Sequence, residues 1–275
     1  MANLLDVSNL KVWDAHTGKV IVHNSSFRLK EGQCLAIVGE SGSGKSVTCR
    51  AIMKLNKASL LQSGQIKYKE RQLNDLAERE MRKIRGKSIC MILQNGMSAF
   101  DPMCTIGVHI KETLTEHFDM PSDQMIKKME NAMESVMLKH PIEVLNKYPH
   151  QLSGGMLQRI MIALAIVLEP DVIIADEPTT ALDTISQFEV VEQLIQLRKR
   201  MHTSMIFVSH DLGIVRKIAD DVLVMKDGRV IEKGKTEAIF SEAQHDYTKH
   251  LIGTRLVLSQ HFERIMGGEA KVAES

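Results

Sequence analysis

The chain has 275 residues, 44% apolar and 25% charged, a make-up that excludes disorder as the main state and supplies a sizeable core. A formal net charge of +1 offers neither a basic field for nucleic acid nor an acidic solvating tail. The longest apolar run, Ile160 to Leu168, falls far short of the roughly 20 residues that cross a bilayer as a helix.

The opening Met1 to Asp6 carries no basic segment and no long apolar stretch, so no cleaved export signal is expected. Alternation over Leu4 to Leu10 and Val20 to Leu29, about a turn at His16-Thr17-Gly18, predicts antiparallel strands. Cys34 to Val38 is continuously apolar, as a strand buried on both faces would be, and a glycine-rich turn and a helical pattern follow it. Cys34, Cys49, Cys90 and Cys104 show no CxxC spacing and read as reduced thiols, not as a zinc ribbon or a disulfide framework.

Between Asp101 and Tyr148 the sequence turns polar and helix-periodic, with Met125, Met129, Met133 and Met137 four residues apart. This segment reads as an inserted helical subdomain, its methionines filling a core rather than ligating a soft metal. Val172 to Ala175 and Ser204 to Val208 are further buried strands beside helical segments, an order that predicts a parallel α/β core. After Ile231 the chain is expected to be helical and polar, ending in a frayed Gly267 to Ser275. With no linker and no internal repeat, one compact unit with an insertion is the expectation.

Three motifs carry chemistry. Gly39-Glu40-Ser41-Gly42-Ser43-Gly44-Lys45-Ser46, followed by Val47, fits G-x-x-x-x-G-K-[ST] between a strand and a helix, so its backbone N–H groups are placed to cradle phosphate. Lys45 is expected at the β- and γ-phosphates and the Ser46 hydroxyl at Mg²⁺. The strand Val172 to Ala175 runs into Asp176, expected to hold Mg²⁺ directly or through water, and Glu177, expected to orient and deprotonate an attacking water. Leu152-Ser153-Gly154-Gly155-Met156-Leu157-Gln158-Arg159 opens a long apolar helix with a second anion-facing start.

In this order and approximate spacing the motifs resemble the ATP-binding cassette family over nearly the whole chain. The resemblance implies an α/β fold: a P-loop (RecA-like) ATPase core with an N-terminal antiparallel β subdomain and an inserted α-helical subdomain. The cassette would span 1–255, its helical part about 96–158, with a C-terminal extension at 256–275. It implies ATP and Mg²⁺ as cofactors and further roles by position. Gln94 looks like the lid glutamine that senses Mg²⁺ and the γ-phosphate, and His210 like the histidine contacting the γ-phosphate. Ala181-Leu182-Asp183 resembles the loop that crosses to the opposing subunit, and Trp13 the aromatic residue that stacks on adenine. In this family each nucleotide is sandwiched between the phosphate loop of one cassette and the signature helix of another. A second cassette is therefore implied, expected as a related paralogue. Two integral-membrane permease subunits, docked near Gln94 to Pro102, and an extracytoplasmic substrate-binding protein are implied with it. The site of action would be the cytoplasmic face of the membrane, with no nucleic acid.

Asp176-Glu-Pro-Thr-Thr-Ala-Leu-Asp183 and His245-Asp-Tyr-Thr-Lys-His-Leu-Ile252 narrow the resemblance to the peptide/nickel importer subfamily, with Asp246 where proline is usual. Many of those relatives hold an iron–sulfur centre on C-terminal cysteines; no cysteine follows Cys104, so none is expected here. Met97 to Pro102 and Ser153 to Arg159 look closer to nickel-import proteins, including those serving metallophore complexes, than to peptide ones. The expected function is ATP hydrolysis coupled to uptake of nickel or a metal–metallophore complex, the alternative being a di- or oligopeptide. The eleven histidines form no ligand-like pair, so the cargo is not expected to touch this chain. A cassette ATPase acting on DNA or the ribosome is the rival of another class, disfavoured by the single cassette and the near-zero charge. A small-molecule kinase leaves Leu152 to Arg159 unexplained.

Overall fold

The computed structural model describes residues 3–180 and 182–254, so Ala181, the extension expected at 256–275 and the tail from Gly267 lie outside the described residues. In chain order the first half gives β1 (Asn3–Asp14), β2 (Val20–Lys30), β3 (Cys34–Val38), α1 (Lys45–Ile52), β4 (Leu60–Tyr68), β5 (Arg71–Gln72), α2 (Glu78–Ile84) and β6 (Ile89–Ile92). Then come α3 (Ile106–His117), α4 (Ser122–Ser135), α5 (Pro141–Leu145), α6 (Gly154–Leu168), β7 (Val172–Asp176) and α7 (Thr184–Met201). The chain continues through β8 (Ser204–Val208), α8 (Leu212–Ile218), β9 (Asp221–Lys226), β10 (Arg229–Lys235) and α9 (Thr236–Glu242) to a helical stretch at 246–254.

Among the described residues the strands form two sheets, β2-β1-β4-β5 and β10-β9-β3-β8-β7-β6. The first is antiparallel, and the second is parallel from β9 to β6 with β10 antiparallel at its edge. Every residue of β3, β7 and β8 is buried, because the parallel sheet is a middle layer. Alternate side chains feed opposite faces. Cys34, Ala36, Val38, Ile173 and Ala175 pack into the core shared with α6 and α7, while Leu35, Ile37, Val172 and Ile174 pack into the core shared with β1, β2 and α1. The expected antiparallel start and parallel core are both present; β4 and β5 enlarge the former beyond what the alternation announced.

Two local expectations are corrected. Met125, Met129 and Met133 are core residues, but α4 stops at Ser135 and Met137, with a left-handed φ of 61°, is 57% exposed. The four-residue spacing outlasts the helix that gives it meaning. Ile231 does not begin a helical region: it lies inside β10, which pairs with β9 about a turn at Asp227 and Gly228. Glu232 to Lys235 is too polar to announce a strand, and the buried Val222 to Met225 of β9 supplies the pairing that keeps it extended.

The sheet order β3-β8-β7-β6 sets the carboxyl ends of four parallel strands along one edge. Gly39, Ser209-His210, Glu177 and Leu93-Gln94 leave those ends, the place where open parallel sheets collect their ligands.

Candidate active site

The phosphate loop joins β3 to α1. Gly39 sits at φ 150°, and a Cβ there would lie 2.1 Å from the Met225 carbonyl oxygen and 2.9 Å from Ser43 Oγ, so the turn demands glycine. Glu40, Ser41 and Gly42 are exposed; Ser43 is buried, its N–H closing the loop on the Glu40 carbonyl at 3.2 Å. Gly44 is the N-cap of α1 and Lys45 its first residue. The Lys45 side chain, only 4% exposed, curls back so that Nζ donates to the carbonyls of Gly39 (2.9 Å) and Glu40 (2.8 Å). Val47 is half-buried, its carbonyl taken by Asn56 Nδ2.

One carboxylate gathers the rest. Glu177 follows β7 in a left-handed conformation, φ 45°, held by its N–H donating to the Val208 carbonyl of β8. Its Oε1 lies 3.8 Å from Lys45 Nζ. Its Oε2 accepts Gln94 Nε2 at 3.1 Å and Thr180 Oγ1 at 3.0 Å, and lies 3.4 Å from His210 Nδ1. The hydrogen bond with His210 is the largest influence on this carboxyl; burial opposes it, Thr180 and Lys45 reinforce it, and the pKa falls below its ordinary 4.5. Glu177 is therefore an ionised acceptor at neutral pH, at the meeting point of three strand ends and the phosphate loop.

Asp176, the last residue of β7, has no exposed surface; burial pushes its carboxyl up, with the Ser46 hydrogen bond opposing. Ser46 Oγ donates to Oδ1 at 2.7 Å, Oδ2 has no hydrogen-bond partner, and Arg50 comes no nearer than 3.9 Å. An orphaned buried carboxylate oxygen beside a hydroxyl is a donor set suited to a small hard cation. Ser46 and Asp176 fit Mg²⁺, with Gln94 reaching the neighbouring Glu177.

The signature lies apart. Ser153 is the N-cap of α6, its Oγ accepting the Met156 N–H, and with Gly155 it lines a cavity of about 440 Å³ that no residue of the Glu177 cluster borders. Lys139, Lys147 and Arg159 line the same cavity, together with His140 and the carboxylate of Glu143. Gly154 opens the helix and Gly155 packs on Leu182, a Cβ there lying 3.6 Å from Leu182 Cδ2. Asp183 is occupied as the N-cap of α7: Oδ1 takes the Ser186 N–H and Oδ2 the Ser186 hydroxyl, which hold its carboxyl below the usual value. Trp13 is the penultimate residue of β1 and half-buried, with Lys11 Nζ 5.5 Å from its ring centroid. The Gln94 segment is tied to the signature helix, since Gln158 Nε2 donates to the Leu93 carbonyl and a Cβ on Gly96 would sit 2.8 Å from Leu157 Cβ.

The structure thus joins Lys45, Gln94, Glu177 and His210, pairs Ser46 with Asp176, and leaves Trp13, Ser153 to Gly155 and Asp183 outside both groups. Thr180, Arg50 and the two lysines, Lys139 and Lys147, of the Ser153 cavity were not anticipated. Thr180 lies within the Asp176 to Asp183 motif, but only the turn's closure, with the Thr180 N–H on the Glu177 carbonyl, aims its hydroxyl.

Comparison with known proteins places the chain in a family. The model of the ABC transporter family matches residues 22–180. A metal-staphylopine import system ATP-binding protein of Staphylococcus aureus (strain NCTC 8325 / PS 47) is 44% identical over 266 residues, covering 97% of this chain and 98% of that protein. A dipeptide transport ATP-binding protein of Lactococcus lactis subsp. cremoris (strain MG1363) is 42% identical over 96% of this chain and 76% of its own. Among solved structures, a dimeric ATP-binding cassette in a post-hydrolysis state, bound to ADP and Pi, superposes with a TM-score of 0.75 at 27% identity, covering 84% of this chain and 98% of that one. The chain belongs to the ABC transporter family, within its peptide and nickel importers, as an ATP-hydrolysing subunit.

Proposed function

We propose that this subunit hydrolyses Mg²⁺-bound ATP as one of two cassettes that drive uptake of a metal–metallophore complex. The convergence of Lys45, Gln94 and His210 on the Glu177 carboxylate carries the catalytic reading. Glu177, ionised and held by Thr180 and Gln94, takes the proton of the attacking water. Lys45 leaves the Gly39 and Glu40 carbonyls for the β- and γ-phosphates, which offer a better anionic partner. Gln94 and His210 face the γ-phosphate from the two flanking strand ends, and Trp13 stacks on adenine. Ser46 and Asp176 would hold Mg²⁺, which when bound would supply charge screening for the phosphates.

The separation of the Ser153 cavity from the Glu177 cluster within one chain supports a sandwich dimer, in which Ser153 to Gly155 close on a partner's nucleotide and Asp183 approaches it. ATP then favours the closed pair, and loss of the γ-phosphate releases it. We take the partner to be a related paralogue, the dock for two permease subunits to lie near Gln94 to Pro102, the cargo to arrive on an extracytoplasmic binding protein, and the place of work to be the cytoplasmic membrane face. Among the described residues no helix is long and apolar enough to cross a membrane, and no cluster of three His, Cys, Asp or Glu side chains forms a metal site.

The 44% identity to the metal-staphylopine protein over 97% of this chain supports the metallophore cargo. The 42% identity to the latter supports dipeptide import as the second reading. ATP hydrolysis by the purified full complex, with free nickel, chelated nickel and short peptides compared, tests it: stimulation by chelated nickel is expected, and stimulation by peptides alone would replace the reading.

A further inference from the structure

The segment His245 to Ile252, which the catalytic cluster does not use, reaches the phosphate loop. The backbone N–H of Glu40, in the exposed outer limb of that loop, donates to the hydroxyl of Tyr247 at 3.1 Å across 207 residues of sequence. The carbonyl of the same Glu40 receives Lys45 Nζ at 2.8 Å and the Ser43 N–H at 3.2 Å. One residue therefore links the C-terminal segment to the lysine that must find the phosphates.

Tyr247 is itself held on several sides. Its ring packs against the main core, Lys226 Nζ lies 4.8 Å from the ring centroid, and its N–H donates to His245 Nδ1. The stretch before it is pinned to β10, where the Gln244 and His245 N–H groups donate to the two carboxylate oxygens of Glu232 at 2.7 and 3.2 Å. After it, Leu251 and Ile252 are buried in the core. The β9–β10 hairpin completes the wall: the Gly228 N–H donates to the Ser43 carbonyl, and the Met225 carbonyl lies against Gly39. The inner limb of the loop is thus braced by the hairpin and the outer limb by Tyr247.

We propose that Tyr247 is a positioning residue for the phosphate loop, its hydroxyl fixing Glu40 so that the loop is already wrapped when the triphosphate arrives. Nucleotide affinity then depends on the docking of the segment 244–254, and anything that lifts that segment weakens ATP binding without touching the chemistry at Glu177. The gain is preorganisation, since a loop held in its bound shape loses less conformational freedom on binding. The inference rests on the reading of Gly39 to Ser46 as the ATP site.

The test is Tyr247→Phe in the full chain, which keeps the ring and removes the acceptor. The loss of one hydrogen bond predicts that KM for ATP, and the Kd of a non-hydrolysable ATP analogue, rise about three- to tenfold, with kcat within twofold of wild type. Amide exchange over residues 38–43, measured without nucleotide, should quicken by a similar factor. An unchanged or tighter Kd, a fall in kcat at constant KM, or unchanged amide exchange would each overturn the proposal. Lys45→Ala runs beside it: if that variant binds the analogue as wild type does, the ATP-site reading itself fails. If Lys45→Ala loses binding while Tyr247→Phe does not weaken it, only the role of Tyr247 is lost.

Discussion

Glu177→Gln isolates the step proposed for the Glu177 carboxylate. The amide matches the carboxylate in size, so Thr180 Oγ1 and Gln94 Nε2, which donate to Oε2 at 3.0 and 3.1 Å, keep an acceptor oxygen within reach. What is lost is the negative charge 3.8 Å from Lys45 Nζ and 3.4 Å from His210 Nδ1, and with it the basic oxygen that would take a proton. Removal of a positioned general base costs about 10²–10⁴ in rate, equivalent to about 2.7–5.4 kcal/mol at 1.36 kcal/mol per factor of ten. Ground-state binding should move the other way. Lys45 and Glu177 are 4% and 15% exposed, so removing the carboxylate frees a shielded ammonium for phosphate, and ATP should bind equally or several-fold more tightly. Phosphate release at saturating ATP, with Kd from equilibrium dialysis, measures both quantities. A variant turning over within tenfold of wild type, or one that no longer binds ATP, would remove Glu177 from the role of base.

Three further outcomes follow from the packing. Gly39→Ala drives a Cβ to 2.1 Å from the Met225 carbonyl oxygen, whereas Gly42→Ala meets nothing within 4 Å and carries only the strain of φ 81°. Thermal denaturation should show the first costing about 1–3 kcal/mol more than the second, and equal costs would refute the close approach. Met129→Ala, at a site with no exposed surface, should destabilise by about 2–5 kcal/mol, while Met137→Ala, 57% exposed, should stay within about 0.5 kcal/mol; similar values by urea titration would contradict the end of α4 at Ser135. Burial raises the Glu232 carboxyl, but the Gln244 N–H and the other hydrogen bonds to it outweigh that and leave the pKa below 4.5. A depressed folded-state value gives stability that is complete above pH 4.5 and lost as pH falls through the lower value. The Tm difference between wild type and Glu232→Gln should therefore shrink on acidification from pH 6 to 4, and a difference that widens would reverse the assignment.

Much of the candidate site was legible because each piece is local. A phosphate loop between a buried strand and a helix, an acid pair at a strand end and a serine-capped helix are patterns of neighbouring residues, and Gly39 to Ser46, Asp176-Glu177 and Ser153 to Gly155 stand where those patterns put them. Gln94 and His210 came from likeness to a family rather than from their own surroundings, since a polar residue after a strand says nothing about what it faces.

Tertiary structure decided what meets what. Gln94 and Glu177 are 83 residues apart and Ser46 and Asp176 130 apart; they meet because β6, β7, β8 and β3 pair in parallel with their ends aligned, and strand register is a property of the sheet, not of any one strand. Helical periodicity could not tell that α4 ends before Met137, nor could polarity reveal that Glu232 stands in a strand, because termination and pairing depend on neighbours distant in sequence. The bond from Glu40 to Tyr247 is the extreme case: sequence supplied a hydroxyl and an N–H, and only the packing of the C-terminal segment against β10 and the core brings them within 3.1 Å.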